Sequence, residues 1–149
     1  MYIDGASQGN PGEAGIGVII CENDNVIKNM SQYIGIATNN VAEYMALLFG
    51  LQEALARRIR DLKINTDSEL LCKQIKGEYR VKDATLKLFH RLAKHLLTNF
   101  EKVDIANIPR ENNKGADKLA ETAIEKRPVL FQSKKKSKAS QDDQLLGLV

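Results

Sequence analysis

Cysteine is scarce in this chain, and long apolar runs are missing. Only Cys21 and Cys72 are present, with no Cys-x-x-Cys pair, a pattern that excludes a disulfide framework and a cysteine zinc site and is typical of reduced, buried thiols. No stretch reaches the roughly 18 apolar residues of a membrane span. The first residues also lack the basic and apolar regions of a signal peptide. These absences predict a cytoplasmic protein that does not enter a membrane.

Net charge is low, and it is unevenly placed. The chain carries +3 overall, and the whole excess lies from Arg127 onward, where basic residues outnumber Asp142 and Asp143. Residues 1–126 contain equal numbers of basic and acidic side chains. This part of the chain is therefore not predicted to have a general phosphate-binding surface, only local patches.

What the chain does have is enough apolar sequence for one folded domain. It is 149 residues long and 43% hydrophobic, a size that can bury a substantial core. Pro128 marks a change to a polar, lysine-rich segment. The composition predicts a domain over residues 1–126 and a flexible basic tail over 127–149. The KKKSK run of that tail could contact phosphates or simply aid solubility, and the terminal QLLGLV could dock on a partner or on the domain.

Apolar periodicity along the chain predicts a mixed α/β fold. Alternation predicts three antiparallel strands, with a turn at 22–25 and a first strand that is unusually short. Spacings of three and four residues then predict a long helix that Thr38, Asn39 or Asn40 would cap. The predicted elements are strands at 1–4, 16–21 and 25–35, a helix at 41–59, a strand at 62–67, helices to 76 and over 84–98, a strand at 102–108 and a helix at 115–126. This order, βββαβααβα, predicts a mixed sheet flanked by helices.

Four acidic residues fall where α/β folds place their active sites. Asp4 is predicted at the end of the first strand and Asp67 at the end of the fourth, directly before a helix. Glu43 and Asp117 are predicted in the first turns of helices, where an acid can simply compensate the helix dipole. Asp4 is harder to explain in that way, because a carboxylate near the centre of a sheet is costly without a partner. A divalent metal ion would be such a partner.

The stretches around these acids resemble the four sequence blocks of type 1 ribonuclease H, in the family's order and with its intervals. They are YIDGASQGNPGEAGIGVII, TNNVAEYMALLFGL, NTDSELLCKQIKGEYRVK and IPRENNKGADKLAETA, and the resemblance covers about residues 1–126. It implies a ribonuclease H-like, five-stranded mixed sheet flanked by helices, without the basic protrusion helix of some members. It also implies an endoribonuclease that hydrolyses the RNA strand of RNA–DNA hybrids and leaves 5′-phosphate and 3′-hydroxyl ends.

The same resemblance implies a metal site. Asp4, Glu43, Asp67 and Asp117 would be the catalytic residues and would hold two Mg²⁺ ions, with Mn²⁺ as a substitute. Asp4 would bridge both ions, with Glu43 and Asp67 on one and Asp117 on the other. Oxygen ligands suit Mg²⁺, and a pair of ions serves both ends of a phosphodiester displacement. Four acids that repel one another are also expected to bind protons tightly until metal is present.

Six further residues are predicted around the substrate, of which Glu69 and Arg110 depart from the family's pattern: Gly5, Asn10, Thr38, Asn40, Glu69 and Arg110. Asn10 and Thr38 would lie near a DNA phosphate, and Gly5, with Gly9 and Gly12, would let a nucleic-acid backbone approach closely. Glu69 stands where many relatives have a glutamine. The loop before Asp117 lacks the histidine of better-known bacterial members, so Arg110 is its candidate cation. An ordinary turn at Asn10 and an ordinary solvated arginine at Arg110 remain open.

Three functions are left open by the sequence. The first is the hybrid-cleaving enzyme, expected to be a monomer without a small-molecule cofactor. The second is a hybrid-binding or protein-binding module on the same fold that has lost turnover, since fold does not fix function. The third is a broader nuclease that also cuts double-stranded RNA, which shares A-form shape and 2′-hydroxyls with the hybrid.

Overall fold

The computed structural model describes residues 1–128 and contains a five-stranded mixed sheet. The strands are β1 (Tyr2–Gly9), β2 (Gly12–Glu22), β3 (Asn25–Ala37), β4 (Asp61–Thr66) and β5 (Lys102–Asn107). Their order in the sheet is β3-β2-β1-β4-β5. The first three strands pair antiparallel, whereas β4 is parallel to β1 and β5 is parallel to β4. The predicted mixed sheet is confirmed, and so is its antiparallel first half.

Within residues 1–128, four α-helices flank the sheet. They are α1 (Asn39–Ala56), α2 (Glu69–Ile75), α3 (Ala84–Leu97) and α4 (Lys114–Glu125). Thr38 caps α1, because its hydroxyl oxygen accepts a hydrogen bond from the Val41 N–H at 3.2 Å, as the sequence predicts. No helix among residues 1–128 is long and apolar enough to cross a bilayer.

The first strand is longer than its sequence pattern indicates. β1 continues to Gly9 instead of ending at Asp4, and its pairing with β2 extends to Gly9 opposite Gly12. Glycine and polar residues after Asp4 read as a loop, but the ladder with β2 keeps them extended. The prediction of a short first strand was therefore wrong.

Helix α1 ends three residues before the predicted position. Arg58 has a φ of 59°, and the N–H groups of Arg58 and Ile59 donate to the carbonyls of Leu55 and Ala54. This is a Schellman motif, in which an apolar residue two positions past the cap packs back on the helix. Ile59 is such a residue, so it continues the apolar spacing without being helical.

The core lies on both faces of β2. Ile16, Val18 and Ile20 are buried in the main hydrophobic cluster with α1, while Gly15 and Gly17 face α4. Alternation along a strand places these two sets on opposite faces.

Three further predictions concern the cysteines, the C-terminal segments and the domain boundary. Both cysteines are free, but only Cys72 is buried and Cys21 is half-buried, which corrects the expectation of two buried thiols. The KKKSK and QLLGLV segments lie outside the described residues. The domain boundary at residue 126 stays a prediction.

Candidate active site

Asp4 lies in the middle of β1, not at the end of a strand. Its side chain is only 4% exposed, although a lone carboxylate is expensive to bury. Because β1 continues past Asp4, the carboxylate is held by paired backbone on both sides, opposite Gly17 of β2. The prediction that Asp4 ends its strand was therefore wrong, and the residue is more firmly placed than it would be in a loop.

Strand register brings Asp67 next to Asp4. β1 and β4 run parallel, with Tyr2 opposite Asn65 and Ile3 opposite Thr66. Asp4 and Asp67 each come directly after the last pair of this ladder, so the two residues are neighbours across the two strands. Asp67 lies one residue beyond β4, since that strand ends at Thr66, a small correction to the predicted strand end. The Thr66 hydroxyl accepts from the Ser68 N–H at 3.1 Å and shapes the turn around Asp67.

Glu43 reaches the cluster because α1 crosses β1 at a glycine. A Cβ at Gly5 would lie 2.2 Å from the backbone carbon of Ala42, so only glycine allows this approach. The Gly5 N–H donates to Glu43 Oε2 at 3.2 Å. Glu43 is buried in the second turn of α1, and the first turn contains no acid. The predicted first-turn placement was wrong, so dipole compensation does not explain this residue.

Asp117 is carried by α4, in the first turn of that helix, as predicted. The face of α4 that meets β2 includes three small buried residues, Ala116, Ala120 and Ala123. Opposite them, Gly17 leaves no room for a side chain: a Cβ there would lie 2.1 Å from the Ala116 carbonyl oxygen. The close packing of α4 on β2 therefore fixes where Asp117 lies relative to the sheet.

Together these elements bring the four acids to one place. One carboxylate oxygen from each of Asp4, Glu43 and Asp67 lies within 4.8 Å of the other two, and Asp117 lines the same cleft, where its charge acts on Asp4. Burial, followed by the charges of Glu43 and Asp67, raises the pKa of Asp4 well above its usual range. Burial and the charge of Asp67 also raise the pKa of Glu43. These hard oxygen donors, with so little positive charge around them, fit a divalent cation such as Mg²⁺.

The raised pKa values predict that the metal-free protein loses stability as pH rises. Unfolded carboxyls release their protons near pH 4, whereas folded Asp4 and Glu43 retain theirs to higher pH. Above about pH 4 the folded state therefore binds more protons than the unfolded state, so a rise in pH favours unfolding. In EDTA we expect the melting temperature to fall by about 5 °C or more between pH 5 and pH 8, since one pKa unit corresponds to ~1.4 kcal/mol.

Glu43→Gln provides the control for that measurement. The amide keeps an acceptor for the Gly5 N–H but has no charge, so the metal-free variant is expected to melt above the wild type at pH 8 and close to it at pH 5. Thermal melts of both proteins at pH 5 and pH 8, with and without EDTA, measure this difference. A wild type that becomes more stable between pH 5 and pH 8 in EDTA contradicts the expectation.

The predicted substrate residues Asn10, Thr38 and Asn40 lie around the start of α1. Asn10 is exposed in the β1–β2 hairpin, and its Oδ1 accepts from the Asn39 N–H at 3.1 Å. Asn10 therefore lies in a turn, which is the alternative that the sequence left open for this residue. The Thr38 oxygen accepts from the helix, so its hydroxyl proton and the Asn10 Nδ2 group stay available to a phosphate. Asn40 is exposed.

Glycines 5, 9 and 12 have structural reasons of their own. Gly9 has a φ of 116°, and a Cβ at Gly12 would lie 2.2 Å from the Gln8 carbonyl oxygen. Together with the α1 contact at Gly5, these constraints require glycine without any ligand. The idea that they serve a nucleic-acid backbone stays a prediction.

Glu69 and Arg110 are both exposed and both have an ionic neighbour. Glu69 pairs with Lys73 at 2.8 Å on the outer face of α2. Arg110 lies in a 3₁₀ turn before α4, with its guanidinium 3.9 Å from Asp117 Oδ1. Arg110 lines the cleft and Glu69 does not. His90 and His95 both lie on α3, away from the loop in which a histidine is missing.

An open cleft of about 480 Å³ surrounds the acids, and two features of its walls escaped sequence reasoning. One wall contains Asn39, beside the predicted Asn40. Beneath the cleft, Asn113 is 1% exposed and donates to Asp67 Oδ2. The signal for Asn113 was its position one turn before Asp117 at the start of a helix, but the surrounding NNKG reads as a solvated loop.

The strand order β3-β2-β1-β4-β5, with an acidic cluster where β1 and β4 meet α1 and α4, is that of the ribonuclease H-like class of folds. A family model described as reverse transcriptase-like matches residues 2–123. Ribonuclease HI of Rickettsia prowazekii is 32% identical over 84% of this chain and 92% of its own length. Together with the family model, this match shows that the chain belongs to the ribonuclease H family, and it confirms the type 1 resemblance of the sequence blocks.

Similar proteins include two more that carry this family name, one a curated relative and one a solved structure. Ribonuclease HI of Halobacterium salinarum is 38% identical over 83% of this chain and 63% of its own length. The bifunctional protein Rv2228c of Mycobacterium tuberculosis is 36% identical over 82% of this chain and 34% of its own length. The crystal structure of LC11-RNase H1 in complex with an RNA/DNA hybrid has a TM-score of 0.79 and 39% identity, covering 84% of this chain and 95% of that one. The chain thus spans less than two thirds of these two curated relatives.

Proposed function

We propose that this protein is an endoribonuclease that hydrolyses the RNA strand of RNA–DNA hybrids and leaves 5′-phosphate and 3′-hydroxyl ends. The observation that supports it most strongly is that carboxylate oxygens of Asp4, Glu43 and Asp67 lie within 4.8 Å of one another, with Asp117 lining the same cleft. A module that only binds nucleic acid gains nothing from burying carboxylates opposite phosphates, because the charges repel. The hybrid bound in the LC11-RNase H1 structure supports the substrate.

The four acids would hold two Mg²⁺ ions, with Mn²⁺ as a substitute. When bound, such ions supply activation of a water molecule and stabilisation of the leaving 3′-oxygen. The chain itself contributes fixed geometry: backbone pairing holds Asp4, and the Gly5 N–H holds one oxygen of Glu43. Since burial keeps bulk water from both carboxylates, their attraction for a cation is stronger than it would be at the surface.

Residues at the rim of the cleft would hold the substrate. The Thr38 hydroxyl proton and the Asn10 amide group can donate to a phosphate beside the start of α1, and Asn40 lies on the same exposed turn. Arg110 lies across the cleft next to Asp117, where its charge can neutralise a phosphate of the cleaved strand. Glu69 is the weakest candidate, because its carboxylate repels phosphate and is already paired with Lys73.

The proposal extends to setting and assembly. Both cysteines are free, a state that a reducing compartment maintains, so we place the activity in the cytoplasm. We propose that the protein acts as a monomer, because the cleft and all four acids are complete within one chain.

Parallel cleavage assays test the proposal. We expect the full-length chain, with Mg²⁺ or Mn²⁺, to cut the RNA strand of a labelled hybrid and to leave a DNA duplex of the same sequence intact. Cleavage of double-stranded RNA at a similar rate would instead identify the broader nuclease. Tight hybrid binding without cleavage under either metal, by protein shown to be folded, would identify the inactive module and overturn the enzyme.

A further inference from the structure

Asn113 contacts three of the four segments that carry the acids. Its Nδ2 group donates to the Ile3 carbonyl, next to Asp4, at 2.9 Å and to Asp67 Oδ2 at 3.4 Å. Its own backbone carbonyl accepts from the Asp117 N–H at 3.1 Å. A single buried residue therefore links β1, the turn after β4 and the start of α4.

Two ordinary explanations for an asparagine at this place fail. It precedes α4, but its side chain makes no cap hydrogen bond to that helix, so helix capping does not account for it. Nor is it a solvated loop residue, since it is 1% exposed.

The orientation of the amide follows from its partners. A group facing the Ile3 carbonyl oxygen must be a donor, which assigns that position to Nδ2 and leaves Oδ1 on the other side. Among the described residues Oδ1 is buried and has no hydrogen-bond partner. An unpaired buried acceptor is unfavourable, so stability alone does not explain an asparagine at position 113. The contacts that its Nδ2 group makes are what explains it.

We infer that Asn113 is a positioning residue of the carboxylate cluster, which holds Asp67 beside Asp4 in the arrangement that binds metal. This inference rests on the proposed function. The Nδ2 group donates to Asp67 Oδ2 and to the carbonyl next to Asp4, so a single amide limits the movement of one acid relative to the other. Loss of a hydrogen bond to a metal-ligating side chain typically weakens metal binding or activity 10–100-fold.

The test measures metal binding directly and does not depend on turnover. In Asn113→Ala, calorimetric titration of the substrate-free protein with Mn²⁺ is expected to show 10–100-fold weaker binding. The KM for hybrid at saturating metal is expected to stay within about twofold, because Asn113 lies beneath the cleft and not on its substrate-facing rim.

Gln74→Ala is the matched control. Gln74 is also a buried polar bridge, 4% exposed, which accepts from the Tyr44 hydroxyl at 2.6 Å and donates to the Arg80 carbonyl at 3.4 Å. It makes no contact with the acids, so its loss should lower the melting temperature and leave Mn²⁺ affinity unchanged. Equal losses of affinity in both variants, or an Asn113→Ala protein that binds Mn²⁺ like the wild type, would overturn the inference.

Asn113→Asp separates positioning from space filling and covers the case in which the alanine variant fails to fold. The substitution is isosteric, but it turns an oxygen toward the Ile3 carbonyl and the Asp67 carboxylate. We expect Mn²⁺ binding to be at least as weak as in Asn113→Ala, and wild-type affinity would refute the inference. A wild type that binds Mn²⁺ but cleaves no hybrid would refute only the proposed function, whereas a wild type that binds no Mn²⁺ would refute both.

Discussion

Asp4→Asn is expected to reduce hybrid cleavage by about 10³-fold or more, which is the scale of removing a principal electrostatic group from an active site. Asp4 is the acid on which the other three act: it is buried, and the charges of Glu43, Asp67 and Asp117 all raise its pKa. Asparagine preserves the shape but removes the charge. It should therefore weaken metal binding far more than it disturbs the fold.

Stability distinguishes this loss from misfolding. Because the Asp4 carboxylate is unfavourable without metal, the metal-free variant is expected to melt at least as high as the wild type at pH 8. Steady-state cleavage of a labelled hybrid and melting in EDTA are the two measurements. Asp61→Asn is the control, since Asp61 is an exposed acid at the start of β4, and it should change neither. Near-normal cleavage by Asp4→Asn would show that the acidic cluster does not take part in catalysis.

Asp67 and Asp117 could be placed from short local patterns, whereas the placements predicted for Asp4 and Glu43 were wrong. Asp67 follows an apolar strand and precedes a helix, and Asp117 follows a polar loop, so sequence alone locates both near element ends. Their meeting could not be derived in the same way. It depends on the register of Ile3 with Thr66 and on the close approach of α1 to Gly5, which are contacts between distant parts of the chain.

Asn113 shows the limit of local reasoning most clearly. Its partner, the Ile3 carbonyl, lies 110 positions away, and nothing in the neighbouring residues signals burial. The glycines mislead for a related reason. Gly5 reads as part of a loop, but the structure uses it inside a strand to admit the backbone of α1. A glycine in the sequence is equally consistent with a turn and with close contact to a neighbouring helix, so local composition does not distinguish the two.

Gly17→Ala is expected to be among the most destabilising single changes in the domain. The new Cβ would lie 2.1 Å from the Ala116 carbonyl oxygen and 2.9 Å from the Ala120 nitrogen, and a backbone cannot rotate aside as a side chain can. Overpacking typically costs about 1–3 kcal/mol and more against rigid neighbours, so a fall in melting temperature of about 10 °C or more is expected. Since α4 must move outward to relieve the contact, Asp117 moves with it, and Mn²⁺ binding at temperatures where the variant is folded should weaken as well.

Gly115→Ala is the control for this prediction. It tests whether the loss of stability in Gly17→Ala comes from the clash with the α4 backbone and not simply from an added methyl group at this interface. Gly115 lies on α4, and its added Cβ would meet only the Ile19 Cδ1 atom, at 2.7 Å, the mobile end of a side chain. Alanine also favours helix over glycine by up to about 1 kcal/mol, so this variant should melt near or above the wild type and retain its metal affinity. Thermal melts and calorimetric Mn²⁺ titrations of both variants give the comparison. A Gly17→Ala protein that melts within about 2 °C of the wild type would show that α4 does not rest on β2 as closely as the structure has it, and the placement of Asp117 would have to be reconsidered with it.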